Sequence, residues 1–241
     1  MQKRFSEELM PAHKDNRTQV SRRKFLGYAG AATGLMAALS ACSKEQIQST
    51  SQPGSVTADG VDLGSGDVGI LNYAYALEQL EAAFYTMVVM NPYTGISNFE
   101  LSALTDIRDH EIAHREYFKN ALTALNAAIG PLEFNFTSIT FSSRESVLMT
   151  AEAFEDLGVS AYNGAGRLIT GAPYLLQAGK IVSVEARHAA FIRDLRGKNR
   201  FADDTIIDAN GLDLTRKPTE VLPIAGKYIK TPIDASHLPT Y

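Results

Sequence analysis

The chain has 241 residues, 45% of them hydrophobic and 21% charged, with a net charge of −4 and a single cysteine. That composition supports one domain with a buried core and excludes a wholly disordered chain or a disulfide-built scaffold. The body of the chain has no cluster of Lys and Arg of the kind a nucleic-acid groove needs, and no run of about 20 predominantly apolar residues, so nucleic-acid binding and a polytopic membrane protein are also excluded.

The segment from Met1 to Cys42 reads as an address. A polar, charged stretch leads to Ser21-Arg22-Arg23-Lys24-Phe25-Leu26, and Gly27 to Ala41 then carry no charge. This is the plan of a secretory signal, and the paired arginines ahead of a mild Gly/Ala-rich segment resemble a twin-arginine signal. Leu39-Ser40-Ala41-Cys42 resembles a bacterial lipobox, which predicts lipidation at Cys42 and a membrane contact through that anchor. The expected location is the periplasm or cell envelope. With the seven basic and three acidic residues of this stretch removed, the net charge moves from −4 to −8. Residues 43–66 are rich in Ser, Gln, Gly and Thr and predict a flexible tether.

From Asp67 onward, apolar residues recur at intervals of three and four, which predicts four long helices. The first spans about 67–90, with Asp67 as N-cap and Asn91-Pro92 as its end. The second spans about 98–129, opened by a Ser97/Glu100 capping box and stopped at Gly130-Pro131. The third spans about 143–169, with Ser142 and Glu145 as a second capping box. The fourth spans about 173–198, with Pro173 in its first turn. Short loops join helices one to two and three to four. The middle connection, Leu132 to Ser142, is longer and alternates apolar with polar residues, so it reads as extended. Residues 199–241 are predicted to be an irregular tail packed on the bundle, with one short helical turn near Pro218 to Leu222.

Carboxylates interrupt the apolar stripe of every helix. Helix one carries Glu78 and Glu81 in a stripe with Leu71, Ala74, Tyr85 and Val88. Helix three carries Glu152 and Glu155 among Leu148, Val159 and Tyr162. Helices two and four carry Glu-x-x-His: Glu111 with His114, and Glu185 with His188. Residues at i and i+3 share a helix face, so each pair can point at one ion. Buried carboxylates without partners cost several kcal/mol each, which asks for a compensating cation. The interval from Glu78 to Glu111 equals that from Glu152 to Glu185, and the interval from Glu81 to Glu111 equals that from Glu155 to Glu185. The pattern thus recurs at an offset of 74, as in a duplicated hairpin. The expected ligand set is Glu78, Glu81, Glu111, His114, Glu152, Glu155, Glu185 and His188, around two divalent ions. Oxygen-rich donors with one nitrogen per ion suit iron or manganese. His110 falls one residue outside the stripe and reads as a rim residue, and Tyr85 and Tyr162 read as packing or hydrogen-bond donors to the ligands.

A Glu on each of two helices with Glu-x-x-His on the other two resembles the ferritin-like di-iron carboxylate pattern. The wording around Leu71 to Tyr85 and Glu155 to Tyr162 is similar to the exported ferritin-like family related to plant desiccation-related proteins. The resemblance implies an all-α, up-down four-helix bundle with one long crossover and a di-metal site. It implies no particular reaction. Of the alternatives on helices one and three, the wording favours Glu78 and Glu155 as primary ligands, with Glu81 and Glu152 as further ligands or neighbours; the longer of the two repeated intervals instead pairs Glu78 with Glu152. Two functions are compatible with these residues: a redox-active di-metal protein acting on oxygen, peroxide or Fe(II), and a metal-free, lipid-anchored stress or interaction module built on a buried Glu/His network. A 24-subunit cage has to accommodate tether, anchor and tail at its interfaces and is disfavoured; smaller oligomers stay open.

Overall fold

The computed structural model describes residues 52–241. The segment that resembles a twin-arginine signal, Cys42 and residues 43–51 of the expected tether lie outside the described residues. Four long helices dominate: α1 (Gly66–Met90), α2 (Asn98–Ala124), α3 (Arg144–Gly166) and α4 (Ala172–Arg196). A short α5 (Pro218–Ala225) and three small strands, β1 (Val56–Thr57), β2 (Gly60–Asp62) and β3 (Ile233–Asp234), complete it. Helices α1 and α2 pack as one hairpin and α3 and α4 as the other, with α1 crossing α3. Among the described residues, no helix is long and apolar enough to cross a membrane.

Every residue from Gly69 to Ala82 of α1 is buried. The expected one-sided stripe is therefore only part of its face, as befits a helix covered all round. Two buried amides on α1 set where α2 stops. Asn72 Nδ2 donates to the carbonyls of Leu63 and Ala127, and its Oδ1 accepts from Ile129 N. Gln79 accepts from Leu132 N at 3.0 Å and donates to the Gly130 carbonyl. With backbone partners supplied from α1, and with Asn126 in the left-handed region at φ 54°, α2 ends at Ala124, short of the expected Ile129.

The crossover is non-helical, but it is extended only around Phe134 and turns at Thr137–Ser138 and Phe141–Ser142. Phe134 bridges Ile229, and Asn135 N donates to the Tyr228 carbonyl. Its Phe136 and Phe141 pack on Phe84 of α1, which also meets Phe154 of α3, in an aromatic cluster. Two caps differ from expectation. Ser65, not Asp67, is the N-cap of α1, while Asp67 accepts from Thr170 N and Gly171 N and so ties down the α3–α4 turn. Ser143, not Ser142, caps α3 through Ser146 N. Ser97 caps α2 as expected.

Both flanking segments are more ordered than their composition suggests. Residues 56–62 form the hairpin β1–β2, and β3 from the tail adds to β2 in parallel. The tail crosses α3 at Gly164, where the Arg216 carbonyl comes so close that a Cβ would collide with it at 1.8 Å. Arg193 of α4 is 1% exposed and gathers the tail: it donates to Asp156 at 2.6 Å, to the Arg200 carbonyl at 2.7 Å, and to Asp203 and Thr205.

Candidate metal centre

The four inward helix faces bring Glu78, Glu111, Glu155, Glu185, His114 and His188 to one level of the bundle. They form two overlapping groups in which all donor atoms lie within 4.8 Å of one another: Glu78, Glu111, His114 and Glu185, and Glu111, Glu155, Glu185 and His188. Glu111 and Glu185 belong to both. All four carboxylates are 0% exposed.

Each imidazole turns Nδ1 inward. His114 Nδ1 lies 2.7 Å from Glu185 Oε1, 3.5 Å from Glu78 Oε2 and 3.6 Å from Glu111 Oε2. His188 Nδ1 lies 2.8 Å from Glu111 Oε1, 3.2 Å from Glu185 Oε2 and 3.5 Å from Glu155 Oε2. Each histidine thus approaches the Glu-x-x-His carboxylate of the opposite hairpin most closely. Yet Glu78 Oε2, both oxygens of Glu111, Glu155 Oε2, Glu185 Oε1 and His114 Nδ1 are buried without an aligned hydrogen bond. These atoms are the donors that lie within 4.8 Å of one another in the two groups. Buried polar atoms rarely go unpaired, and an oxygen-rich set with one nitrogen per group fits a divalent ion.

Two tyrosines complete the arrangement. Tyr85 Oη donates to Glu155 Oε1 at 2.5 Å, and Tyr162 Oη donates to Glu78 Oε1. In both glutamates Oε1 is thereby occupied and Oε2 left facing the centre. Such donors fix a ligand's orientation.

Charge is balanced locally. Burial opposes the charge on both imidazoles, but the carboxylates around them, Glu78 for His114 and Glu155 for His188 first, raise both well above the usual histidine value. Burial also opposes ionisation of Glu185, but the two imidazoles outweigh it and bring it down to about 2. Burial, with the Glu185 charge beside it, pushes Glu111 up to about 8. Without cations, the centre therefore stores protons, which binding a metal has to displace.

The remaining expected ligands separate. Glu81 is 4% exposed and stands beside the cluster; burial and the four neighbouring glutamates push it well above the carboxylate range. Glu152 is not brought to the centre. It pairs with Arg200 at 2.6 Å, Arg196 at 2.7 Å and Arg193 at 3.8 Å, arginines of the end of α4 and the residues just after it. Of the alternatives left open on helices one and three, the structure unites Glu78 and Glu155. The register explains why. Glu155 follows Glu78 at the same offset as Tyr162 follows Tyr85, whereas Glu185 follows Glu111, and His188 follows His114, at a smaller one. The span from Glu155 to Glu185 is shorter than that from Glu78 to Glu111, so no single offset aligns both helices of the two hairpins. The tyrosine two turns beyond each glutamate was the sequence signal for that register.

A family model for the ferritin-like domain matches residues 66–198. The chain belongs to the ferritin-like domain family. That stretch contains all four long helices and every residue of the two ligand groups, so the ferritin-like domain and the cluster coincide. No curated protein matches the chain.

Proposed function

We propose that this ferritin-like protein is exported, is held in the cell envelope through Cys42, and binds two divalent ions, iron or manganese, for redox chemistry with oxygen, peroxide or Fe(II) that limits oxidative damage. The carrying observation is the sharing of Glu111 and Glu185 between the two ligand groups, since a shared carboxylate would offer an oxygen to each of two cations. Glu78 and His114 would hold one ion, and Glu155 and His188 the other. Four carboxylates balance two divalent charges. Bound together, such ions supply one-electron chemistry toward oxygen or peroxide, or accept electrons from Fe(II). The protein's own work is to hold the ligands. Tyr85 and Tyr162 orient the terminal glutamates, and buried Leu104, Leu148 and Ile192 belong to the core that keeps water from the helix interior.

Protein purified without chelator should carry about two ions per chain and consume oxygen or peroxide on Fe(II) addition. Protein that stays metal-free after anaerobic Fe(II) addition overturns this reading. The second reading, a metal-free network, is favoured by one observation: the 2.7 and 2.8 Å imidazole–carboxylate contacts already neutralise much of the buried charge. For export, replacing Arg22 and Arg23 together by Lys should hold the protein in the cytoplasm, and Cys42→Ser should release it from membranes. Unchanged fractionation of both variants overturns that part.

A further inference from the structure

A third imidazole stands at the rim of the cluster. His110 Nδ1 lies 2.9 Å from His188 Nε2, with the two rings only 11° from parallel and their centroids 5.2 Å apart. His110 sits on α2 beside Glu111 and is exposed, while His188 on α4 is 5% exposed. Two ring nitrogens at that distance share one proton. If His110 supplied it, a neutral His188 would carry its own proton on Nδ1, the atom that faces the carboxylates. If His188 supplies it from Nε2, Nδ1 keeps a lone pair for a cation and His110 Nδ1 is the acceptor. A ligand histidine is held in this way, through the proton on its outer nitrogen.

The duplication does not repeat this support. The offset that carries His114 onto His188 carries His110 onto Val184, the position that would serve His114. The valine side chain has no atom that accepts a hydrogen bond. In their own donors, Glu78 with His114 and Glu155 with His188, the two ligand groups match, so this is a difference in how their histidines are held.

We infer that His110 is a positioning residue that makes the two ion positions unequal, so that the one served by Glu155 and His188 binds more tightly and fills first. The inference rests on the di-metal reading above. Its test is an anaerobic Co(II) titration of the metal-stripped full chain, followed by the visible absorption of bound Co(II). The wild type should fill in two phases whose affinities differ by about tenfold or more. His110→Ala should weaken the first phase about 10- to 100-fold and leave the second in place. His110→Asn, whose amide oxygen can accept the same hydrogen bond, should recover most of the loss. The metal-free melting temperature should fall only slightly and alike in both variants, because water at the exposed rim can take the place of His110 beside His188 Nε2. Two equal wild-type phases, an Ala variant that shifts both phases alike or neither, or an Asn variant no better than Ala overturns the inference and leaves the di-metal reading standing. A wild type that takes up no Co(II) overturns the di-metal reading itself.

Discussion

Glu81 of α1 lies against Gly158 of α3 so closely that a Cβ on the glycine would stand 3.1 Å from Glu81 Oε1. Tyr85 with Glu155 lies to one side of this contact and Tyr162 with Glu78 to the other. The three pairings run in opposite chain order, so α1 and α3 cross antiparallel with Glu81 and Gly158 at the midpoint. Gly158 follows Glu81 at the same offset as Glu155 follows Glu78, so the two occupy equivalent places in the duplication. Only one side chain fits between the helices there, and the glycine makes room for it.

Alanine at Gly158 should therefore destabilise the wild type by about 1 kcal/mol, the tight contact outweighing the roughly 1 kcal/mol that alanine gains over glycine in a helix. In a Glu81→Ala background the same substitution should stabilise by about 0.5–1 kcal/mol. Urea unfolding of the four proteins of this cycle decides it. Equal effects in both backgrounds would mean that Glu81 does not fill the space.

Tyr85→Phe and Tyr162→Phe keep the ring and remove one donor each from Glu155 and Glu78. Each should cost about 1–3 kcal/mol in metal-free protein, because a buried carboxylate oxygen loses its hydrogen bond. Thermal unfolding of both variants checks this, and a change below about 0.5 kcal/mol contradicts it.

Because Glu111 and Glu185 are common to both groups, Glu111→Gln or Glu185→Gln should strip ions from both positions, while Glu78→Gln should weaken only the position of His114. Metal content per chain distinguishes the two patterns. Free metal at about 100 times its dissociation constant should raise wild-type stability by about 2.7 kcal/mol for each ion bound, and chelator should remove that increment.

Arg193→Met should cost about 3–5 kcal/mol, since it leaves Asp156 without its cation in a partly buried setting and frees the 200–205 segment. Burial pushes Asp156 up to about 6 even with Arg193 beside it. Arg193→Lys should recover little, because one ammonium cannot reach the same four partners. Limited proteolysis should then cut within 200–205 before any other described loop.

Glu100 links the start of α2 to Arg144 at the start of α3 at 2.5 Å, and Arg144 also donates to the Leu195 carbonyl near the end of α4. Burial raises the Glu100 carboxyl, but the hydrogen bonds from Arg144, with the Tyr93 hydroxyl nearby, outweigh it and hold it below the usual range. A carboxylate lowered in the folded state adds stability above its unfolded value, near about 4.3, and loses it as pH falls through the lowered one. Arg144→Met should cost about 1 kcal/mol at about pH 6, and the gap to wild type should narrow below about pH 4. A gap that widens on acidification would refute this.

The bundle was legible in the sequence because caps, stops and stripes agreed: Ser97, Pro173 and the Asn91-Pro92 stop lie at or within a residue or two of helix ends. The Glu-x-x-His pairs were legible because they sit on apolar faces. What failed was register. Glu152 lies on the same stripe as Glu155 by spacing alone, and its arginine partners come from α4 and from Arg200, just beyond the end of α4, contacts that helical periodicity does not encode. The end of α2 was misplaced for a similar reason, since Asn72 and Gln79 act on it from a different helix, far away along the chain. The small sheet was hidden because strands as short as these carry no periodic signal.

The parallel pairing of β2 with β3 joins the segment ahead of the bundle to the segment behind it, with Val61 N donating to the Pro232 carbonyl. The last strand ahead of the four helices and the strand behind them are thus next-door neighbours. A circularly permuted chain, with a short linker spliced across that seam and fresh termini cut into the exposed α1–α2 turn, should keep the same four-rod interior.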